Sequence, residues 1–203
     1  MIIKIENKTI EFKTVQIEIN NRNQVNIFQG NSRTLFYKLN KAILKTDDRL
    51  HNIAKTHMLK YKLYLDMTFG DFLLKLKKED NNDYKLYLNK YGDGKFCNYK
   101  ITNYHHDKGI YCYIIEDEIV YIGRSKKTFN ERFKDYGKIT PYNCLINGQA
   151  TNCNINSKVN ELNSITVGFY LMNNASSEGI EVLEKKIISQ LKVNHNLWNI
   201  QTK

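Results

Sequence analysis

Apolar and polar positions alternate over the first twenty residues, with Ile2, Ile5, Ile10, Phe12, Val15, Ile17 and Ile19 as the apolar set. That period predicts a pair of strands turning near Asn7-Lys8. Asn20 to Asn23 is a turn cluster, and Val25-Asn26-Ile27-Phe28 predicts another short strand. The period then changes. Leu35, Phe36, Leu39, Ile43 and Leu44 recur at helical spacing behind Ser32, which is placed to cap a first helix. A second helix is expected from about Arg49 to Tyr64. A third follows Thr68, with Phe69, Phe72, Leu73 and Leu76 as its stripe, and breaks at Asp80 to Asp83. The stretch from Lys85 to Ile101 is mixed, with a turn at Gly92-Asp93-Gly94.

The clearest local pattern runs from Gly109 to Arg132. Two runs rich in β-branched and aromatic residues flank Glu116-Asp117-Glu118, which predicts a β-hairpin. One face would carry Ile110, Cys112, Ile114, Val120 and Ile122. With a three-residue connection, Ile115 pairs with Ile119 and Tyr113 with Tyr121, and Tyr111, Tyr113 and Tyr121 share the opposite, exposed face. A two-residue loop shifts the register and separates them, because side chains alternate with period 2. Thr128 and Glu131 have the spacing of a capping box, and the helix they start puts Phe129, Arg132, Phe133 and Tyr136 on one side. Gly137 suits its C′ position. Ser164 to Met172 predicts a mostly buried strand. The last helix, capped by Ser176 or Ser177, has the stripe Ile180, Leu183, Ile187, Ile188 and Leu191. Glu184 falls inside that stripe, where a carboxylate is costly unless it is paired, hydrogen-bonded or bound to metal.

Composition narrows the class. In 203 residues, 41% are hydrophobic and 26% charged, enough for one good core or two small ones and against disorder. No apolar run approaches the roughly 18 residues of a membrane span and no N-terminal signal pattern appears, so an intracellular, cytoplasmic chain without a membrane partner is expected. The four cysteines lack metal-ligand spacing and are expected to be reduced thiols. The formal net charge of +10 suggests a polyanion partner. Residues 1–108 hold 20 Lys+Arg against 12 Asp+Glu. There, lysines at helical spacing (Lys38, Lys41, Lys45) are either a solvated face or, with the interleaved tyrosines, a phosphate-contacting surface.

Gly109-Ile110-Tyr111 followed by Tyr121-Ile122-Gly123 resembles both name-giving motifs of the GIY-YIG nucleases, at about their usual separation. Arg132 on the next helix, Tyr136 four residues on, Glu184 in a pattern ExxIIxxL and Asn199 after Leu-Trp resemble the further positions of that family. The resemblance covers roughly residues 107–202. It implies a metal-dependent DNA endonuclease that leaves 5′-phosphate and 3′-hydroxyl ends, with double-stranded DNA as partner and Mg²⁺ (or Mn²⁺) as cofactor. Tyr111 would be the general base or its close partner, Tyr121 would orient the water, and Arg132 would hold the non-bridging phosphate oxygens. Glu184 would bind the metal, and Asn199 would brace the site. Arg124 and Lys126 are further cations beside the substrate. The polar segment 140–160 resembles an insertion in type II restriction enzymes of this group. Gln149, Asn152 and Asn154 in it would touch bases or phosphates, or else the segment is a loop held by Asx turns. The expected architecture is α/β (α+β): a basic accessory region over 1–104, then a catalytic module over 105–203 with a three-stranded antiparallel sheet flanked by helices. Homing and repair nucleases share such a core, a catalytically silent binder could keep the fold, and a dimer is compatible with the sequence.

Overall fold

The computed structural model describes residues 1–6, 8–193 and 197–199. In chain order these form β1 (Ile2–Ile5), β2 (Lys8–Glu11), β3 (Lys13–Gln16), β4 (Glu18–Gln24), α1 (Leu35–Ile43), α2 (His51–Lys60), α3 (Phe69–Lys78), β5 (Phe96–Lys100), β6 (Gly109–Ile115), β7 (Glu118–Ser125), α4 (Phe129–Gly137), α5 (Pro141–Cys144), α6 (Ala150–Glu161), β8 (Thr166–Leu171) and α7 (Ser177–Leu191). The fold is mixed α+β with antiparallel sheets. No helix among the described residues is long and apolar enough to cross a membrane.

The chain divides into two compact units, and neither is continuous in sequence. The first comprises Met1–Asn21, Cys97–Lys138 and Lys158–Lys203; the second comprises Arg22–Phe96 and Ile139–Ser157. The boundary expected at 104/105 is therefore corrected. The reason is strand pairing: β3, near the N-terminus, hydrogen-bonds to β8, Val15 lying opposite Val167.

In the first unit the sheet has four strands rather than the expected three, in the order β3-β8-β6-β7, because β3 adds to β8; β7 is an edge. The hairpin turns on two residues, Glu116 and Asp117, both at positive φ (48° and 64°). That is the backbone a two-residue turn needs to match strand twist. A bulge between Tyr113 and Ile114 then restores the pairing of Tyr113 with Tyr121, while Ile114 lies opposite Ile119. The extra residue is Val120. Ile119, not Val120, consequently joins Ile110, Cys112, Ile114 and Ile122 on the aliphatic face, which packs against Ile180, Leu183, Ile187 and Ile188 of α7. Burying each such side chain stabilises the fold by about 1.5–3 kcal/mol. Ser176 is the N-cap of α7, its hydroxyl accepting from Gly179 N.

The opposite face is not exposed as expected. Tyr111, Tyr113 and Tyr121 are buried, with Phe133 of α4 packed against Tyr111 and Tyr113 at ring separations of 5.1 and 5.9 Å. The capping box Thr128–Glu131 starts α4 as predicted. Gly137 is its last helical residue rather than a left-handed C′ cap: a Cβ there would lie 2.0 Å from the Tyr99 carbonyl oxygen. Close approach, not backbone conformation, requires the glycine.

The second unit is built on α1, α2 and α3. Thr34 rather than Ser32 caps α1, its side chain accepting from Tyr37 N, and Thr68 caps α3 as expected. The strand expected at 25–28 is instead a 3₁₀ turn at Ile27–Gly30. Its core gathers Phe28, Leu35, Leu39, Phe69, Phe72, Leu73, Leu76 and Tyr87. A polar network runs from this core to the surface. His57 Nδ1 lies 2.5 Å from Tyr87 Oη and its Nε2 lies 3.3 Å from Asp83, which also accepts from Tyr61 Oη (2.5 Å) and Lys60 Nζ (2.7 Å). The four cysteines are free thiols and buried.

The segment 140–160 is not a loop. It holds α5, with Pro141 at its first turn, and the twelve-residue α6. Asn152 and Asn154 are buried, each 4% exposed. Their expected contacts with bases are corrected: side chains so enclosed present no polar edge to DNA. Gln149 is exposed.

Candidate active site

Two glycines set the geometry of the hairpin. Gly109 has φ +143°, a conformation side-chain-bearing residues rarely adopt, and a Cβ there would meet the Tyr170 carbonyl oxygen at 2.2 Å. Gly123 lies directly opposite Tyr111. A Cβ on it would stand 2.4 Å from both Cζ and Oη of that tyrosine. The bare backbone of Gly123 thus lets the Tyr111 ring lie across β7 and carry its hydroxyl toward the sheet edge.

There the phenols converge. Tyr111 Oη donates to Tyr136 Oη at 3.0 Å, and Tyr121 Oη lies 3.1 Å from the same oxygen. Arg132 donates from Nε to Tyr111 Oη (3.2 Å) and from Nη2 to Tyr136 Oη (2.5 Å), with its guanidinium 4.3 Å from the centre of the Tyr136 ring. The i, i+4 spacing of Arg132 and Tyr136 puts both on the sheet-facing side of α4. Burial holds the hydroxyls of Tyr121 and Tyr136 protonated, well above the ordinary tyrosine range, against the opposing pull of Arg132. Burial would lower the pKa of Arg132, but the surrounding phenol oxygens outweigh it and keep the guanidinium charged.

Glu184 reaches this neighbourhood from the other face. Register places Arg124 opposite Ile110, on the side of the sheet that meets α7. Arg124 pairs there with Glu184 through Nη1 and with Glu181 through Nη2, the latter at 3.3 Å. Because β7 is the edge strand, groups held on the two faces can approach around it. The charge of Arg132 acts on Glu184, and that of Glu184 on Tyr121. Burial raises the Glu184 pKa, and Arg124 only partly offsets this. Glu181 behaves oppositely: hydrogen bonds from Lys126 and Lys185, with Arg124 beside it, hold it down at about 2. Lys126 Nζ lies 2.7 Å from Glu181. Arg124 and Lys126, expected beside the substrate, are thus both engaged with carboxylates.

The hydrogen bonds of Asn199 go to backbone rather than to the phenols. Its amide grips the open edge of β7, donating to Ile122 O (2.7 Å) and accepting from Ile122 N (3.1 Å). Next to it, Trp198 N donates to Val120 O (2.6 Å), at the bulge. This short segment occupies backbone groups that would otherwise face solvent on an unpaired strand. Asn199 therefore fixes the strand between Tyr121 and Gly123, which is a positioning role.

Among the described residues no group of three or more His, Cys, Asp or Glu side chains could hold a metal ion. The donor set here is the Glu184 carboxylate, enclosed and partly neutralised by Arg124. One carboxylate suits Mg²⁺ where phosphate oxygens and water complete the shell, so the residues fit that ion as a site finished by substrate.

Of the residues singled out from the sequence, the fold brings Tyr111, Tyr121, Arg132 and Tyr136 together and places Glu184 within electrostatic reach of them. Sequence reasoning missed Glu181 as the partner that orients Arg124 and Lys126. The i, i+4 spacing of Glu181 and Lys185 and the hairpin register were the available signals. Comparison with family models, with curated proteins and with solved structures finds no match for this chain.

Proposed function

We propose that this chain is a metal-dependent DNA endonuclease of the GIY-YIG type, with β8-β6-β7 and helices α4 and α7 as its catalytic core. The observation that carries the reading is the convergence of three phenol oxygens, two of them accepting from the Arg132 guanidinium, with the Glu184 carboxylate in electrostatic reach of Arg132 and Tyr121. That assembly answers the needs of phosphodiester hydrolysis: a group to take the proton of water, a cation for the phosphoryl charge, and an anion that can hold a divalent metal.

In this reading Arg132 takes the non-bridging oxygens of the scissile phosphate, for which its forked donors are suited. Tyr111 accepts the proton of the attacking water as its own proton passes to Tyr136, Tyr136 passes one on to Tyr121 across their 3.1 Å contact, and Tyr121 releases one to solvent, so that each phenol ends neutral. Arg132, donating to the same Tyr111 oxygen, stabilises the negative charge that develops there. Tyr121 orients the water. Water oxygen bonds to phosphorus, the bond to the 3′ oxygen breaks, and that oxygen takes up a proton, leaving 5′-phosphate and 3′-hydroxyl ends. Mg²⁺ on Glu184 would supply charge to polarise the phosphate and ease departure of the 3′ oxygen. The Gln149 side chain, exposed ahead of α6, remains available to DNA. A restriction-type role is the finer form of this proposal.

One observation favours a second reading, a DNA binder without catalysis: the Glu184 carboxylate already holds Arg124. Plasmid nicking with Mg²⁺ or EDTA, on wild type, Arg132→Ala and Glu184→Gln, separates the two. The nuclease cuts only with metal, and each variant loses about 10²–10³-fold in rate. A chain that retards DNA in a gel and leaves it uncut under every metal condition sinks the nuclease reading.

A further inference from the structure

A cavity of about 370 Å³ opens in the second unit, in the range of small-molecule sites, roughly 300–1,000 Å³. Its floor is apolar and aromatic, from Phe69, Tyr87 and Leu145, all buried. Lys38, Lys41 and Lys45 also line it. The unit that holds it carries 15 Lys+Arg against 8 Asp+Glu.

Lys38 is the telling residue. It is half-buried, its ammonium 5.6 Å from the centre of the Phe69 ring. Burial first, then the charges of Lys41 and Arg33, lower its pKa, and no carboxylate figures among the groups that act on it. A desolvated cation among cations calls for an anion. The two carboxylates of the lining do not supply it. Asp48 is committed to the start of α2, accepting from Leu50 N (2.9 Å) and facing Asn147 Nδ2 (3.4 Å). Asp47 is exposed.

The anion's other end is defined by Tyr142. The residue is 56% exposed, yet its hydroxyl donates to the Asn147 carbonyl at 3.0 Å. A fixed, solvent-facing aromatic ring beside lysines is a stacking platform. A fatty anion would satisfy the lysines but strip water from Asp47 and Asn147 without replacing it. A nucleobase brings a flat ring and polar edges together.

We propose that this cavity binds a nucleotide, its phosphate held by Lys38, Lys41 and Lys45 and its base lodged against Tyr142 and the aromatic floor. The site lies wholly in the second unit and does not depend on the nuclease reading. The nucleotide is either free or part of a nucleic-acid strand, and the same experiment separates these sources.

The test is calorimetric titration of the full chain with each 5′-deoxynucleoside monophosphate, with inorganic phosphate and with a short single-stranded oligonucleotide. Saturable binding of a monophosphate assigns the free form; binding of the oligonucleotide alone assigns the polymer. In either case inorganic phosphate binds at least about tenfold more weakly, because it lacks the base. Charge reversal at the exposed pair, Lys41→Glu with Lys45→Glu, weakens binding by about tenfold or more. Tyr142→Ala costs about tenfold. Lys55→Glu, exposed on α2 and outside the cavity, binds as wild type. The proposal is overturned if neither monophosphates nor oligonucleotide bind. It is equally overturned if inorganic phosphate binds as well as they do, or if the Lys41/Lys45 variant, folded by circular dichroism, binds like wild type.

Discussion

Each unit of this molecule buries a network of phenols, and the two networks end on opposite charges. In the first unit Tyr111 and Tyr136 accept from a guanidinium, Arg132. In the second, Tyr61 donates to a carboxylate, Asp83, which Lys60 and His57 also flank. The sign at the end of each network decides what its tyrosines can do. Phenols gathered on a cation leave positive charge unspent, so an incoming anion is welcome. Phenols gathered on a carboxylate that already has two basic neighbours form a closed set with no charge left over. The first arrangement suits chemistry on a phosphate and the second suits holding helices together.

The largest effect that would break this contrast lies at Gly123. Gly123→Ala places a methyl 2.4 Å from the Tyr111 hydroxyl, so the phenol must leave Arg132. Nicking is expected to fall by about 10²–10⁴-fold, the contribution of a positioned acid or base. A rate within about twofold of wild type would mean that the Tyr111–Arg132 contact is ornamental. Next in size, Tyr87→Phe removes the hydroxyl 2.5 Å from His57 Nδ1 and leaves a buried ring nitrogen without its partner. Urea unfolding should report a loss of about 1–3 kcal/mol, with nicking unchanged.

The pH responses of the two networks differ in sign. Burial lowers the His57 pKa below its usual 6.5, with Asp83 only partly opposing. Stability from this group is therefore complete above about 6.5 and is lost as pH falls through that value toward the lower folded one. Tm measured from pH 7.5 down to 5 should drop in wild type and drop less in His57→Gln. Glu184 titrates the other way. Its pKa is raised, so its fold stability is complete below the unfolded value near 4.5 and is lost as pH rises through the folded one. Glu184→Gln should be the more thermostable chain at pH 7.5, by a margin that vanishes toward pH 4. A margin that does not change with pH would remove burial as the cause.

Much of the site could be read along the chain because its cues are local. The stripe of α7 with Glu184 inside it, the capping box of α4 and the pairing of Tyr113 with Tyr121 depend on residues close in sequence. The route to that pairing was less legible: a two-residue turn and a bulge replace the three-residue loop, which gives the same register from Tyr113 onward but sets Ile115 opposite Glu118 rather than Ile119. What lay beyond reach was set by distant partners. Burial of the three tyrosines depends on α4, whose Phe133 and Tyr136 pack against them. The α6 helix forms on asparagine-rich sequence with little propensity of its own, and its buried asparagines show tertiary surroundings overriding that preference. Strand β3 joins the sheet through residues about 150 positions away.

That last pairing bears on how the protein is made. During synthesis the sheet of the first unit cannot be finished until β8 emerges, and the second unit must await α5. A ribosome partway along the message therefore holds two unfinished halves at once. Cleaving the chain near residue 104 would yield fragments that each lack part of both.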